Sequence, residues 1–279
     1  MEFRTIVDIE PSAWKIKPQD NLFLVGSCFA DNLGQIFDDN HFQVKANPYG
    51  VMYNPASITH TVEKMLADNP TYSPDVAIFT LGTNHVYILN ETGEIVDNCQ
   101  KRPQRLFTEK ELSVDECATY LNKAITMLKE RNPQIKVIIT VSPIRYRKYG
   151  YHGSQLSKAT LLLAIQQTQA EYFPSYEIMN DELRDYRFYK PDMLHPSDQA
   201  VEYIWQRLSD AYLSDEAKTF IQEWAPLKAA LNHKPFNADS EEYKAFMHKT
   251  MLKVEALKEK YPTFAIQIVN NTFVNGKSS

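Results

Sequence analysis

A serine and a cysteine stand side by side where an apolar run gives way to a helical pattern. The run Leu22–Val25 is followed by Gly26, Ser27 and Cys28. A strand-to-helix turn exposes a nucleophile, and the helix N-terminus places amide groups and the positive end of a dipole beside an anion that forms there. A serine at such a turn can also serve only as the helix N-cap. The sequence therefore predicts a nucleophile or an N-cap at Ser27.

A histidine with a carboxylate three residues before it lies much later in the chain. Asp192 and His195 occupy a polar stretch just before a helical pattern. An imidazole can act as a base near neutral pH, and a carboxylate bound to its Nδ1 fixes the tautomer. Alone, the pair could equally be a surface aspartate and a partly buried histidine. Combined with Ser27, it predicts a nucleophile, a base and the group that orients the base.

Two further segments could supply donors to an oxyanion. Asn84 follows the apolar run Val76–Leu81, and ligands of open α/β sheets bind beyond the carboxyl ends of the strands. Gly50 lies in a loop where its backbone N–H could approach a substrate. We expect an oxyanion hole made by the backbone N–H of Ser27, the backbone N–H of Gly50 and the side chain of Asn84.

Other polar and aromatic side chains are candidates for substrate contact. Arginine and histidine near strand ends favour an anionic or sugar-bearing substrate, and tyrosine can stack on a sugar ring. Solvated loop charges and packed aromatic rings are equally typical of such positions. The candidates are His85, Tyr53, Arg145 and His152.

Two alternatives compete with a serine mechanism. Cys28 is a rival nucleophile, since a thiolate at a helix N-terminus can have a lowered pKa. Adjacent residues on a turn point in different directions, however, so only one of the pair would face the substrate. A metal-dependent hydrolase is a third possibility, but no histidine has ligand spacing with another histidine or a cysteine. We therefore predict no metal and no cofactor.

The elements that must position these residues follow from the apolar patterns. Helical stripes over residues 58–66, 117–128 and 161–172, and a helix after an N-cap at Ser197, alternate with short apolar runs. Such alternation is typical of an α/β fold with a central parallel sheet. The predicted strands are Leu22–Val25, Phe42–Lys45, Val76–Leu81, Val137–Val141 and Tyr176–Met179.

Length and composition predict one domain over residues 1–279. With 43% hydrophobic residues the chain can bury one sizeable core, and a net charge of −5 makes nucleic acid an unexpected partner. No apolar run approaches the roughly 18 residues of a membrane span, and the N-terminus lacks a secretory pattern. Three unpaired cysteines suit a reducing cytoplasm. We expect a core over 20–215 and a helical extension over 216–279, whose helix Ser240–Lys260 packs on the core or forms a dimer contact.

The motifs taken in chain order resemble a known family. The segment Gly26-Ser27-Cys28-Phe29-Ala30 matches the signature of the GSCFA family, a branch of the SGNH (GDSL-like) hydrolases, and the resemblance extends over about residues 20–212. It implies a three-layer α/β/α flavodoxin-like fold. It also implies that Ser27, Gly50, Asn84 and the Asp192/His195 pair are the four catalytic blocks. One departure is that the usual aspartate between glycine and serine is missing, and Cys28 follows Ser27.

The resemblance implies a serine esterase that acts on an O-acyl ester, an acetyl ester foremost, through a Ser-His-Asp triad and an acyl-enzyme. A carbohydrate ester or another small ester would be the partner, with no nucleic acid and no membrane. The same site would be an O-acyltransferase if a sugar hydroxyl replaced water. A catalytically silent carbohydrate-binding protein is the alternative from another class. The oligomeric state stays open.

Overall fold

Eight strands and eight helices make up the computed structural model, which describes residues 1, 3–97, 99, 102–237 and 239–262. The strands are β1 (Asn21–Gly26), β2 (Gln43–Ala46), β3 (Val76–Leu81), β4 (His85–Leu89), β5 (Ile95–Val96), β6 (Phe107–Glu111), β7 (Lys136–Val141) and β8 (Glu171–Tyr172). The helices are α1 (Cys28–Asp39), α2 (Pro55–Asp68), α3 (Val114–Arg131), α4 (Gly150–Ile165), α5 (Ser175–Glu177), α6 (Asp198–Tyr212), α7 (Asp215–Leu231) and α8 (Glu241–Lys260).

A five-stranded parallel sheet with the order β2-β1-β3-β7-β8 forms the centre. Alternate side chains of β1 point to opposite faces: Leu22 and Leu24 pack with α1 and α6, whereas Phe23 and Val25 pack with α2, α3 and α4. Both faces are therefore covered, which explains the nearly continuous apolar strands. Counted by strand, this is the 2-1-3-4-5 order of flavodoxin-like sheets, so the predicted three-layer α/β/α fold is confirmed.

Most predicted strands of the central sheet are confirmed, and one is wrong. Val76–Leu81 matches β3 at both ends, and the runs predicted for β1, β2 and β7 begin and end within one residue of those strands. The run Tyr176–Met179 instead belongs to α5 and to the π-helical turn Ile178–Leu183 that continues it. The residues buried in this turn, Ile178, Met179, Glu182 and Leu183, have a helical spacing, and the edge strand is the shorter β8 just before the run.

One predicted helix continues too far along the chain. The apolar stripe over residues 161–172 forms α4 only as far as Ile165, and Tyr172 lies in β8. The hydroxyl of Thr168 donates to the carbonyl of Ile165 at 2.8 Å and closes the helix end. The other predicted helices are present, and Ser197 caps α6 as expected, with its hydroxyl accepting from the N–H of Ala200.

A second, antiparallel sheet was not expected from the sequence. It has the order β5-β4-β6, and β4 begins directly after the loop that follows β3. The strand β6 consists of Phe107-Thr-Glu-Lys-Glu111, which is largely exposed and charged. Because it has no apolar alternation, it carries no recognisable strand pattern.

The C-terminal helices pack on the same side of the sheet as α1. Trp224 of α7 and Val254 of α8 belong to the apolar cluster that contains α1, and the Trp224 indole N–H donates to the carbonyl of Asp39 at 2.9 Å. The helix predicted over Ser240–Lys260 is confirmed, and Phe246 on this helix is 42% exposed. Within the described residues, no helix is long and apolar enough to cross a membrane.

Candidate active site

The crevice at the carboxyl ends of β1 and β3 is the expected position for a ligand. The connection after β1 runs toward β2, whereas the chain after β3 continues toward β7, so the two leave in opposite directions and open a gap at this edge. Gly26 ends β1 with a φ of +148°, and a Cβ there would lie only 2.2 Å from the carbonyl oxygen of Thr80. The next amide, that of Ser27, donates to this carbonyl at 2.9 Å. The β1–α1 turn is therefore held tightly against β3.

The Ser27 hydroxyl is buried under this turn. Its Oγ donates to Ser142 Oγ at 3.0 Å, lies 3.1 Å from Thr80 Oγ1 and accepts from the N–H of Phe29 at 3.2 Å. The last contact makes Ser27 the N-cap of α1, and its exposed fraction is 0%. The N-cap interpretation of this serine is thus confirmed, whereas its role as a nucleophile stays a prediction.

Cys28 is the first residue of α1, and its side chain is partly exposed. Burial raises the pKa of its thiol, the carboxylate of Asp31 raises it further, and the nearby charges of Lys190 and Asp192 also act on it. Lys190 and Asp192 belong to the segment that carries the predicted base. The resting form of Cys28 is therefore the neutral thiol beside that segment.

Asp192 and His195 form the pair that their spacing predicts. His195 Nδ1 and Asp192 Oδ2 are 2.5 Å apart, and the other oxygen of Asp192 accepts from the N–H groups of Leu194 and His195 at 2.8 and 3.0 Å. These two backbone donors, followed by the His195 side chain, lower the pKa of Asp192 to about 2. The carboxylate is therefore ionised at any ordinary pH and holds a proton on Nδ1, which leaves Nε2 as the basic nitrogen.

The loop around this pair is fastened at several points. The backbone N–H of Arg145 donates to the Leu194 carbonyl at 3.0 Å, and its guanidinium donates to the Met193 carbonyl at 3.2 Å. Within the loop, the N–H of Lys190 donates to the His195 carbonyl at 2.8 Å. Arg145, predicted as a substrate contact, is thus also an anchor of the loop that presents His195.

The other predicted oxyanion donors make local contacts. The N–H of Gly50 donates to the carbonyl of Asn47 at 2.9 Å, in a turn where Gly50 has a φ of +92°. The side-chain amide of Asn84 donates to the Leu112 carbonyl at 2.8 Å, and Asn84 is only 3% exposed. One hydrogen of that amide is therefore used at the start of the second sheet.

The remaining predicted contact residues lie in different environments. His85 is 8% exposed, and its ring stacks on that of Tyr149 with centroids 3.6 Å apart. Burial lowers the pKa of His85, so it is a packed neutral ring. Tyr53 is 38% exposed and meets Tyr146 edge to face at 5.9 Å, whereas His152 is exposed on α4. Of these three, only Tyr53 and His152 are open to solvent.

A cleft of about 260 Å³ opens beside the His195 loop. The Arg145 guanidinium lies over the ring of Tyr151 at 4.3 Å and over that of Tyr189 at 5.5 Å. The cleft therefore presents cationic groups among aromatic rings. The carboxylate of Asp185 also belongs to the lining, which consists of Arg145, Gln155, Met179, Asn180, Arg184, Asp185, Tyr186 and Tyr189.

Comparison with known families decides where this chain belongs. The model of the GSCFA family matches residues 21–75 and 69–208, and that of the GSCFA domain protein C-terminal domain matches residues 224–270. The chain belongs to the GSCFA family. Among curated proteins, none matches it.

Several solved structures are similar to this GSCFA protein. A family 3 carbohydrate esterase from Talaromyces cellulolyticus has 12% identity and a TM-score of 0.41, covering 73% of this chain and 97% of its own. A catalytic mutant of an acetylxylan esterase from Geobacillus stearothermophilus has 12% identity and a TM-score of 0.46, with 72% and 97% covered. A family 3 carbohydrate esterase from Clostridium thermocellum has 13% identity and a TM-score of 0.38, with 77% and 99% covered.

A buried lysine of this GSCFA chain, not predicted from the sequence, lies next to the crevice. Lys158 of α4 is 1% exposed, and its ammonium donates to the carbonyl of Ser142 at 2.9 Å. Burial lowers its pKa to about 7. Its position three residues before Leu161, on the apolar side of α4, is the signal that could have revealed it.

Proposed function

We propose that this GSCFA protein hydrolyses carboxylic esters through a covalent acyl-enzyme. The observation that carries the proposal is the Asp192–His195 pair, because a carboxylate 2.5 Å from Nδ1 leaves Nε2 available as a base. The loop that carries the pair is anchored by Arg145, so the imidazole has a defined orientation. A surface histidine without a catalytic role needs neither a carboxylate on Nδ1 nor an anchored loop.

The chemistry follows from this pair and the β1–α1 turn. His195 Nε2 takes the proton of a nucleophile in the turn, either the predicted Ser27 or Cys28, as the nucleophile attacks the ester carbonyl. The tetrahedral oxyanion forms beside the N-terminus of α1, where amide groups and the helix dipole stabilise it. His195 then protonates the leaving alcohol, and water releases the acyl group by the same steps in reverse. The charge of Asp192 stabilises the imidazolium throughout.

The cleft beside the loop supports a sugar or an anionic group as the alcohol part of the ester. Tyrosine rings stack on sugar rings, and the guanidinium groups of Arg145 and Arg184 bind hydroxyl and acidic oxygens. An acetylated carbohydrate satisfies both features. If the hydroxyl of a second sugar enters instead of water, the same site transfers the acyl group, which makes an O-acyltransferase the second candidate.

Turnover of p-nitrophenyl acetate and of acetylated sugars tests the proposal. Replacing His195→Gln removes the base and is expected to lower kcat/KM by about 100- to 10,000-fold. The matched control His248→Gln alters an exposed histidine of α8 and should retain full turnover. A wild-type protein that binds acetylated sugars by calorimetry but hydrolyses none of these esters would support the binding-protein alternative instead.

A further inference from the structure

We propose that Cys28, rather than Ser27, is the nucleophile of this site and carries the acyl group as a thioester. The inference rests on the proposed function and specifies its central residue. Three observations support it: the bonding of the Ser27 hydroxyl, the placement of the Cys28 side chain, and an unpartnered hydroxyl on Tyr146.

The Ser27 hydroxyl is already hydrogen-bonded within the protein. It has three polar neighbours, two hydroxyls and one amide, within 3.2 Å, and no part of the residue reaches solvent. Attack on a substrate would require Ser27 to leave Ser142 and Thr80 and to uncap α1. The hydroxyl therefore closes the turn and does not face the crevice.

The Cys28 side chain, unlike that of Ser27, is partly open to solvent at the turn. It is partly exposed at the first position of α1, and adjacent residues of a turn point in different directions. The charges of Lys190 and Asp192 on the His195 loop contribute to the pKa of its thiol, so the thiol lies within electrostatic range of that loop. A thiol at this position also lies at the positive end of the α1 dipole, which stabilises a developing thiolate.

The Tyr146 hydroxyl is an unused hydrogen-bond donor at the edge of the same crevice. Its oxygen is buried and has no hydrogen-bond partner among the described residues. It lies above Gly82 at the end of β3, where an added Cβ would come within 2.5 Å of it. Burial, then Tyr53 and Cys28, raise the pKa of Tyr146, so it stays protonated and can donate. An unused donor at the carboxyl end of β3, the strand that pairs with β1, is suited to stabilise an oxyanion in the crevice between them.

The reaction balances with residues of this chain and water. The Cys28 Sγ–H proton passes to His195 Nε2 while Sγ bonds to the acyl carbon. The carbon–oxygen bond of the ester then breaks, and the leaving oxygen takes the proton from Nε2. In the second half, water gives a proton to Nε2 and its oxygen bonds to the acyl carbon. The carbon–sulfur bond breaks, and the thiolate regains the proton.

Trapping the acyl group identifies the nucleophile directly. Wild-type protein mixed with p-nitrophenyl acetate and quenched in acid should carry one acetyl group, located on the Cys28 peptide by mass spectrometry. Neutral hydroxylamine should remove it, as it does a thioester but not a serine ester. Cys28→Ala should abolish the adduct and lower turnover by about 1,000-fold or more, whereas Ser27→Ala should still carry the acetyl group on Cys28 and unfold at a lower urea concentration. Cys99→Ser, a partly exposed cysteine outside the crevice, is the control with unchanged turnover.

The possible outcomes separate the two proposals. An acetyl group on Ser27, or a folded Ser27→Ala protein that has lost the adduct while Cys28→Ala retains it, overturns the cysteine assignment and leaves the esterase proposal intact. If the wild-type protein neither turns over any of the esters nor accepts an acetyl group, both proposals fail.

Discussion

At the scale of single residues, the Asp192–His195 contact determines which imidazole nitrogen is basic. An asparagine at position 192 could still accept from the backbone N–H groups of Leu194 and His195, but it would present an N–H to Nδ1. The proton would then move to Nε2, and the base would be lost. We expect Asp192→Asn to reduce kcat by roughly 1,000- to 10,000-fold, as such a tautomer change does in other triads.

Steady-state kinetics with p-nitrophenyl acetate measure this effect, and Asp8→Asn, a change at an exposed aspartate far along the chain, is the control. The pKa of Asp192 is lowered to about 2, so the carboxylate does not titrate between pH 4 and 9. If Asp192→Asn has the same kcat as the wild-type protein, the role assigned to the pair is wrong.

The contact between Asp192 and His195 was predictable from the sequence, whereas the burial of Ser27 was not. The Asp192–His195 contact is local, three residues apart, and therefore predictable from spacing. The burial of Ser27 depends on Thr80 and Ser142, which are 53 and 115 positions away. No local pattern encodes which of two adjacent side chains faces such a cluster. The proposed choice between Ser27 and Cys28 therefore rests on tertiary contacts that the sequence does not show.

At the scale of the elements, long periodic patterns were predictable and short ones were not. The six-residue run of β3 and the capped helix α6 follow from apolar spacing and a serine N-cap. The run Tyr176–Met179 is too short to distinguish a strand from a helix, and its conformation is set by packing beneath α6. The charged strand β6 is held in the sheet by its hydrogen bonds to β4. Its own residues show no apolar pattern, so the sequence did not predict it.

The buried lysine of α4 predicts how stability depends on pH. The pKa of Lys158 is about 7 in the folded protein and near 10.4 in the unfolded chain. Between these values the unfolded state binds more protons, so the free energy of unfolding should rise with pH, by at most about 1.4 kcal/mol per pH unit. As the pH falls toward 7, this gain in the free energy of unfolding is lost. Replacement of Lys158→Met should remove it.

Urea unfolding followed by circular dichroism at pH 7, 8 and 9 compares the two proteins. The control Lys249→Met changes an exposed lysine of α8 and should retain the wild-type pH slope. Equal slopes in wild type and Lys158→Met would show that this lysine does not titrate in the interval, and the depressed pKa would be wrong.

At the scale of the whole molecule, the question is whether the C-terminal helices unfold with the sheet. Trp224 of α7 is 4% exposed, packs in the cluster that also contains Leu22 and Leu24 of β1, and donates to the Asp39 carbonyl at the end of α1. One continuous core joins α7, α8 and the layer beside α1. Helices that share a core with the sheet are expected to unfold with it in one cooperative transition.

Truncation of this side chain tests the single domain predicted over residues 1–279. Trp224→Ala should lower the free energy of unfolding by about 3–5 kcal/mol, since it removes a large buried ring and leaves a cavity. The transition should stay single in calorimetry and move as a whole. Leu252→Ala, at a leucine of α8 that is 59% exposed, should change stability by only about 0.5 kcal/mol or less. If Trp224→Ala instead splits the transition, or leaves its midpoint unchanged, the helices after residue 215 form a unit separate from the sheet.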